Sequence, residues 1–240
     1  FEGPLDLAYV VNLESRLASR VLWKVGGGPY RDERELNALA RGIAWPTHFR
    51  ADRTIRVDVA ATRSPLRSLE FATLTVKDAV CDRFRDEQGK RPSVDKRMPD
   101  VRVHAYLTDR EATFYLDTSG EPLFKRGWRR DTEEAPLREN LAAGLLALAG
   151  WTPDVPFLDP MCGSGTIAIE AAMIAADRAP GLTRTFGFQK LAWFDGPAWQ
   201  RLKQRARDRV KAAPSSPSVF ASVRFGWLAM SCATFFATTT

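Results

Sequence analysis

Apolar residues recur every fourth position at Leu5, Tyr9, Leu13, Leu17 and Val21, the spacing of an amphipathic helix, and then give way to the strand-like run Val21-Leu22-Trp23-Lys24-Val25. Gly26-Gly27-Gly28-Pro29 is expected to break that strand. Asp32, with Glu33 and Glu35 behind it, reads as the N-cap of a helix that runs to Ala44 and stops before Pro46. Ile55, Val57 and Val59 alternate through a predicted strand over 54–60. Leu69, Ala72, Val76, Ala79, Val80 and Phe84 return to helical spacing over 68–85. Residues 101–107, a turn at Asp109-Arg110 and residues 112–117 read as a hairpin. Helices and strands mixed in this order predict an α+β module over residues 1–120.

A linker is expected over 121–135, where Phe124-Lys125-Arg126-Gly127-Trp128-Arg129-Arg130 precedes the acidic Asp131-Thr132-Glu133-Glu134. Beyond it the period changes. A helix over 137–149, the apolar strand Val155-Pro156-Phe157-Leu158, a glycine turn and a second helix over 164–177 form the opening of an α/β unit, assigned to residues 136–213. A basic helix over 197–213 should be largely solvated on the face that carries its Arg and Lys residues. The last segment, 214–240, holds a single charged residue, Arg224, and is set apart as a tail of foreign composition. Its Ser and Thr content makes it a poor membrane span.

Length and composition add bounds. With 240 residues and 45% hydrophobic positions the chain can bury a core, which excludes a wholly disordered polymer. The formal charge is +6, and 27 of the 35 basic residues are Arg, which favours polyanionic partners and planar phosphate or base contacts. Cys81, Cys162 and Cys232 are widely spaced and the only histidines are His48 and His104, so no zinc spacing assembles and no metal is expected. Scattered thiols suit a reducing compartment, and the cytoplasm is the expected location. The sequence opens at Phe1 with Glu2, Asp6, Glu14 and Arg16 close behind, which is no signal-peptide pattern, and it reads as a fragment already in progress.

The chemistry concentrates in Phe157-Leu158-Asp159-Pro160-Met161-Cys162-Gly163-Ser164-Gly165-Thr166. A strand delivers Asp159 to its carboxyl end, and Gly163 and Gly165 let backbone approach a ligand where a Cβ would clash. Thr166 and the first amides of the next helix then face the same crevice and favour an anionic group. An adenosine-containing ligand is the natural occupant. Gly163-x-Gly165-x-x-Ala168 formally matches the dinucleotide fingerprint, but no acidic residue follows in the context that a nicotinamide dinucleotide site needs, and no Lys follows Gly165 to make a P-loop. A glycine turn without a ligand stands as the plain alternative.

This segment, continued by Ile169-Glu170-Ala171-Ala172, resembles the first cofactor motif of S-adenosylmethionine-dependent RNA methyltransferases that carry a THUMP domain. It is similar, more distantly, to the motif of adenine DNA methyltransferases. The upstream segments Val76-Lys77-Asp78-Ala79-Val80, Arg91-Pro92-Ser93-Val94-Asp95 and Leu116-Asp117-Thr118-Ser119-Gly120-Glu121 resemble the THUMP module of the bacterial 23S rRNA guanine-N2 methyltransferases. Ala135-Pro136-Leu137-Arg138-Glu139-Asn140-Leu141-Ala142 and Asp177-Arg178-Ala179-Pro180-Gly181-Leu182 match that family on either side of the motif, and the resemblance covers residues 1–213. It implies a Rossmann-like class I methyltransferase domain in which Asp159, Cys162, Gly163, Gly165 and Thr166 line the S-adenosylmethionine pocket. Pro160 and Ser164 would shape its loop and Asn140 would reach the methionine end. Cys162 as a small buried filler and Asn140 as an ordinary helix residue are the alternatives.

The implied partner is 23S rRNA. Seven bases from Arg83 to Arg102, among them Arg91, Lys96 and Arg97, are offset by Asp82, Asp86, Glu87, Asp95 and Asp100. Lys125, Arg126, Arg129 and Arg130 around Trp128 are denser, and basic side chains beside an aromatic suit phosphate contact with base stacking. A solvated linker with Trp128 packed is the alternative. The family's Asn-Pro-Pro-Tyr motif, which implies acceptors for the guanine amine and a ring to stack on the base, has no counterpart: the only asparagines are Asn12, Asn37 and Asn140, and none precedes Pro. The family's ribose-binding Asp is also missing after Val219-Phe220-Ala221-Ser222. The chain is therefore expected to bind the cofactor weakly and not to turn over. A noncatalytic RNA-binding module, or a tRNA guanine-N2 or DNA adenine methyltransferase, are the other readings.

Overall fold

A computed structural model describes residues 2–129, 137–211, 219–223 and 226–228. The chain divides into two compact units, one built from 20–121 with 185–196, the other from the remaining described residues.

The first unit is a four-stranded sheet. Its strands are β1 (Leu22–Pro29), β2 (Ile55–Ala61), β3 (Val101–Leu107) and β4 (Glu111–Asp117), ordered β1-β4-β3-β2 with only β2 and β3 parallel. The expected break at Gly26-Gly27-Gly28 does not occur. β1 runs through these residues to Pro29, with one bulge between Lys24 and Gly26. The reason is a close approach: a Cβ on Gly27 would sit 2.6 Å from the Ala112 carbonyl oxygen of β4, so glycine here keeps the ladder rather than ending it.

Helices complete this unit. Asp32 caps Glu33–Gly42 as predicted, accepting from the Arg34 and Glu35 amides. That helix ends at Gly42 rather than Ala44 because Ile43 is extended, and a separate short helix, Trp45–His48, takes Pro46 into its first turn. The helix Leu69–Gln88 begins at the Ser68 cap and stops at left-handed Gly89. Its buried face holds the predicted Ala72, Val76, Ala79, Val80 and Phe84 together with Cys81, whereas Leu69, placed on that face by its spacing, is exposed at the first position of the helix. Asp117 closes β4 as a buried carboxylate that accepts from the Ser119 and Gly120 amides and pairs with Arg20.

The second unit contains an amphipathic helix, Leu7–Glu14, which is shorter than its periodicity suggested. Ser15 adopts an extended conformation and its hydroxyl captures the Ala18 amide, which ends the helix. Residues 2–19, expected within the N-terminal module, instead join this unit, where the Gly181 amide donates to the Leu13 carbonyl and Tyr9 packs edge-on to Trp199. Here β5 (Phe157–Asp159) lies parallel to β6 (Val219–Val223), and β6 is antiparallel to β7 (Gly226–Leu228). With Leu7–Glu14 as α1, Glu33–Gly42 as α2, Trp45–His48 as α3 and Leu69–Gln88 as α4, the next two helices, α5 (Glu139–Leu148) and α6 (Thr166–Ala175), bury Leu146, Ala168, Ala171 and Ala172 against Trp151 and Phe157. The basic helix, Gly196–Asp208, buries Trp199 and Ala206 and leaves Arg201, Arg205 and Arg207 exposed.

The expected linker is a different matter. Leu123 and Arg126 are 2% exposed, so 122–129 are an integral part of the second unit, while 130–135 lie outside the described residues. The tail assignment over 214–240 also lies outside them, apart from the backbone of β6 and β7.

Candidate functional site

Asp159 is the last residue of β5, and the turn that follows leads directly into α6. The Asp159 carboxylate accepts the Met161 amide at 3.1 Å, which folds the chain back on itself. Gly163 and Gly165 have φ of 51° and 75°, left-handed values that a Cβ-bearing residue adopts only with strain. The Gly165 amide donates to the Cys162 carbonyl, and the Gly165 carbonyl accepts the Ile169 amide. Because Gly165 has no side chain with which to cap α6, the first-turn amides carry no side-chain partner from it and remain suited to an anion.

The turn has room. Pro160, Met161 and Gly163 are exposed, and a Cβ built on Gly165 would meet, among the described residues beyond its chain neighbours and the helix backbone, Ile169 Cδ1 alone, at 3.9 Å. Cys162 is half-buried against the α5–α6 core, the filler position, and its thiol lies 3.7 Å from the Gly163 carbonyl.

Arg129 is the residue that sequence reasoning placed elsewhere. Offered as an RNA contact, its guanidinium instead donates to Ser164 Oγ at 3.2 Å, Thr166 Oγ1 at 3.0 Å, the Leu137 carbonyl at 3.2 Å and Glu139 Oε1 at 3.2 Å. Four of the five guanidinium N–H groups are thereby engaged, which leaves no fork for a phosphate. Glu139, which was not singled out from sequence, is buried at the start of α5. Its sequence signal was a carboxylate in the first turn of a helix whose later positions are all apolar or Gly. A recess of about 380 Å³ beside Arg129 is lined by Phe124, Lys125, Gly127, Leu137, Arg138 and Glu139, within the size range of small-ligand sites.

Arg126 is likewise corrected. Its guanidinium is buried, pairs with Glu170 at 3.2 Å, and donates to the carbonyls of Leu123 and Arg16. A polyanion cannot reach it. Arg16 adds a second cation to Glu170 at 3.5 Å, and burial, the dominant influence, holds its guanidinium below the ordinary arginine value against the pull of Glu170. Trp128 is half-buried with Arg129 over its ring, Lys125 is exposed, and Arg130 lies outside the described residues. Asn140 donates to the Leu17 carbonyl at 3.2 Å and Ser19 Oγ at 3.3 Å rather than to the turn; its Oδ1 is buried without a partner among the described residues.

In the first unit, Arg91, Lys96 and Arg97 are exposed as expected. Arg83, Arg85 and Arg102 from the same run are spent on Glu87, Asp82 and Glu121. Arg91 and Lys90 line an open groove with Arg50, a base that the sequence run did not include. Among the described residues no helix is long and apolar enough to cross a membrane, and no cluster of His, Cys, Asp or Glu is arranged to hold a metal.

The strand, glycine turn and helix with this hydroxyl-rich opening form the ligand-turn of an α/β unit, in a chain that also carries the four-stranded mixed module. Residues 30–117 match the THUMP domain and residues 126–223 match the RMKL-like methyltransferase domain; the chain joins one of each. The second match takes in 214–223, which composition had set apart from the domain. The chain is 47% identical over 208 residues to ribosomal RNA large subunit methyltransferase K/L of Psychromonas ingrahamii, an alignment over 86% of this chain and 28% of that one. Against the protein of the same description from Syntrophotalea carbinolica it is 45% identical over 218 residues, 88% of this chain and 30% of the other. It thus spans less than a third of the length of these curated relatives. Among solved structures it is similar to SMU.472, solved in complex with SAH, with a TM-score of 0.78, 30% identity and coverage of 87% of this chain and 55% of that one. A Listeria monocytogenes structure described as a predicted N6-adenine-specific DNA methylase gives a TM-score of 0.79 at 32% identity, with the same coverage.

Proposed function

We propose that this chain is the RNA-binding and cofactor-binding portion of a 23S rRNA guanine-N2 methyltransferase. The observation that carries the reading is the 159–166 turn: a strand's carboxyl end, two left-handed glycines, an uncapped helix start and open space. S-adenosylmethionine bound there would supply an electrophilic methyl group on its sulfonium. Asp159 pins the turn through Met161, and Pro160, Cys162, Gly163, Ser164, Gly165 and Thr166 form its walls. Asn140 would reach the methionine end through its Oδ1, which has no partner among the described residues and can accept from an ammonium. In the THUMP unit the exposed Arg91, Lys96 and Arg97 supply phosphate contacts.

Methyl transfer to a guanine amine depends on holding the amine in line with the methyl carbon, and so on positioning more than on a strong base. No Asn-Pro-Pro-Tyr occurs in these 240 residues, so the chain by itself binds without turning over. Titration with S-adenosylhomocysteine and with a 23S rRNA fragment is expected to show weak cofactor binding and RNA binding, with no radiolabelled methyl transferred. RNA binding without any S-adenosylhomocysteine binding would replace this reading with a noncatalytic RNA-binding module. Preference for tRNA or duplex DNA over the rRNA fragment would overturn the substrate.

A further inference from the structure

The Ser164 and Thr166 hydroxyls lie 3.2 Å apart, and both oxygens accept from one guanidinium, that of Arg129. Arginine carries no acceptor, so its presence fixes the direction of the hydrogen bonds around it. Each hydroxyl must use its hydrogen elsewhere. Thr166 is 3% exposed and among the described residues has one other partner, Ser164, so it donates there. Ser164 is half-buried at the mouth of the turn, and its hydrogen is then the one left to point outward, beside the uncapped start of α6. Arg129 is itself anchored on its far side, where Glu139 accepts its Nε at 3.2 Å and the Leu137 carbonyl takes one of its terminal N–H groups.

We propose that Arg129 is a positioning residue of the cofactor turn, orienting the Thr166 and Ser164 hydroxyls so that Ser164 donates to an anionic group, the carboxylate at the amino-acid end of the ligand. This rests on the reading of the turn as a cofactor site. A relay from a cation through two hydroxyls gives a charge-assisted donor without placing the cation itself against the ligand.

The test compares two probes on the 240-residue chain by titration calorimetry: S-adenosylhomocysteine, and its decarboxylated analogue, which keeps the nucleoside, the thioether and the amine. The unaltered chain is expected to prefer S-adenosylhomocysteine by about tenfold or more, the scale of one hydrogen bond to a charged group. Arg129→Met and Ser164→Ala should each abolish most of that preference, lowering the affinity for S-adenosylhomocysteine more than that for the decarboxylated analogue. Arg129→Lys should not restore it, since a point charge cannot serve both hydroxyls and Glu139. The double variant should lose no more preference than Arg129→Met alone. If Arg129→Met fails to fold, Ser164→Ala and Thr166→Val carry the comparison. Preference retained in these variants, or equal loss of both probes, overturns the proposal. Failure of the unaltered chain to bind either probe overturns the cofactor reading itself.

Discussion

Glu170 is the buried carboxylate on which the second unit is most exposed to single substitution. Its side chain has no solvent exposure, and it sits one helical turn past Thr166 on α6, between Arg126 at 3.2 Å and Arg16 at 3.5 Å. Glu170→Gln keeps the shape and removes the charge. Breaking a buried pair from one side costs about 3–5 kcal/mol, because the remaining ion is left uncompensated. Arg126 keeps its hydrogen bonds to the Leu123 and Arg16 carbonyls, at 2.8 and 2.6 Å, and Arg16 keeps one to the Arg178 carbonyl at 2.7 Å. These residual partners argue for the lower end, about 3 kcal/mol. For a chain of this length that loss corresponds to a fall in Tm of about 6–12 °C. Urea unfolding and a thermal melt followed by far-ultraviolet circular dichroism measure it. The triple replacement Arg16→Met, Arg126→Met, Glu170→Leu removes every charge together and should recover most of the loss. A cost below about 1 kcal/mol for Glu170→Gln, or a triple variant less stable than the single one, would refute the reasoning.

The remaining predictions concern the first unit. Burial holds the His48 imidazole below its ordinary value, so the unfolded chain binds that proton more tightly. Its contribution is neutral above about pH 6.5 and becomes destabilising as pH falls from there toward the folded-state value; the urea midpoint should drop over that window, and less so in His48→Gln. Gly27→Ala should cost about 1–3 kcal/mol by overpacking, measured by the same unfolding curve, because its Cβ meets backbone of β4 rather than a movable side chain. Replacing Arg91, Lys96 and Arg97 together by Ala should weaken binding to an rRNA fragment across sequences and flatten the log–log salt slope by about 2. An unchanged slope would remove these three from the RNA contact.

What the sequence made legible was whatever a short stretch of chain decides for itself. The Asp32 cap is settled by amides two and three residues away, and the 159–166 turn by a strand, two glycines and a helix start that follow one another without interruption. Gly26-Gly27-Gly28 misled because the local rule, that glycines punctuate, gave way to a contact with Ala112 on a strand more than eighty residues on. Arg126 and Arg129 misled for a related reason: basic residues beside an aromatic resemble a nucleic-acid surface until their partners are known. Those partners left a trace. Glu170 stands in Thr-Ile-Ala-Ile-Glu-Ala-Ala-Met-Ile-Ala, a helix that is otherwise almost wholly apolar, and a carboxylate in such a helix requires a cation from elsewhere in the chain. Arg126 and Arg16 supply it, so two of the arginines that composition assigned to a polyanion are spent inside the fold, and the charge left for such a partner is correspondingly smaller.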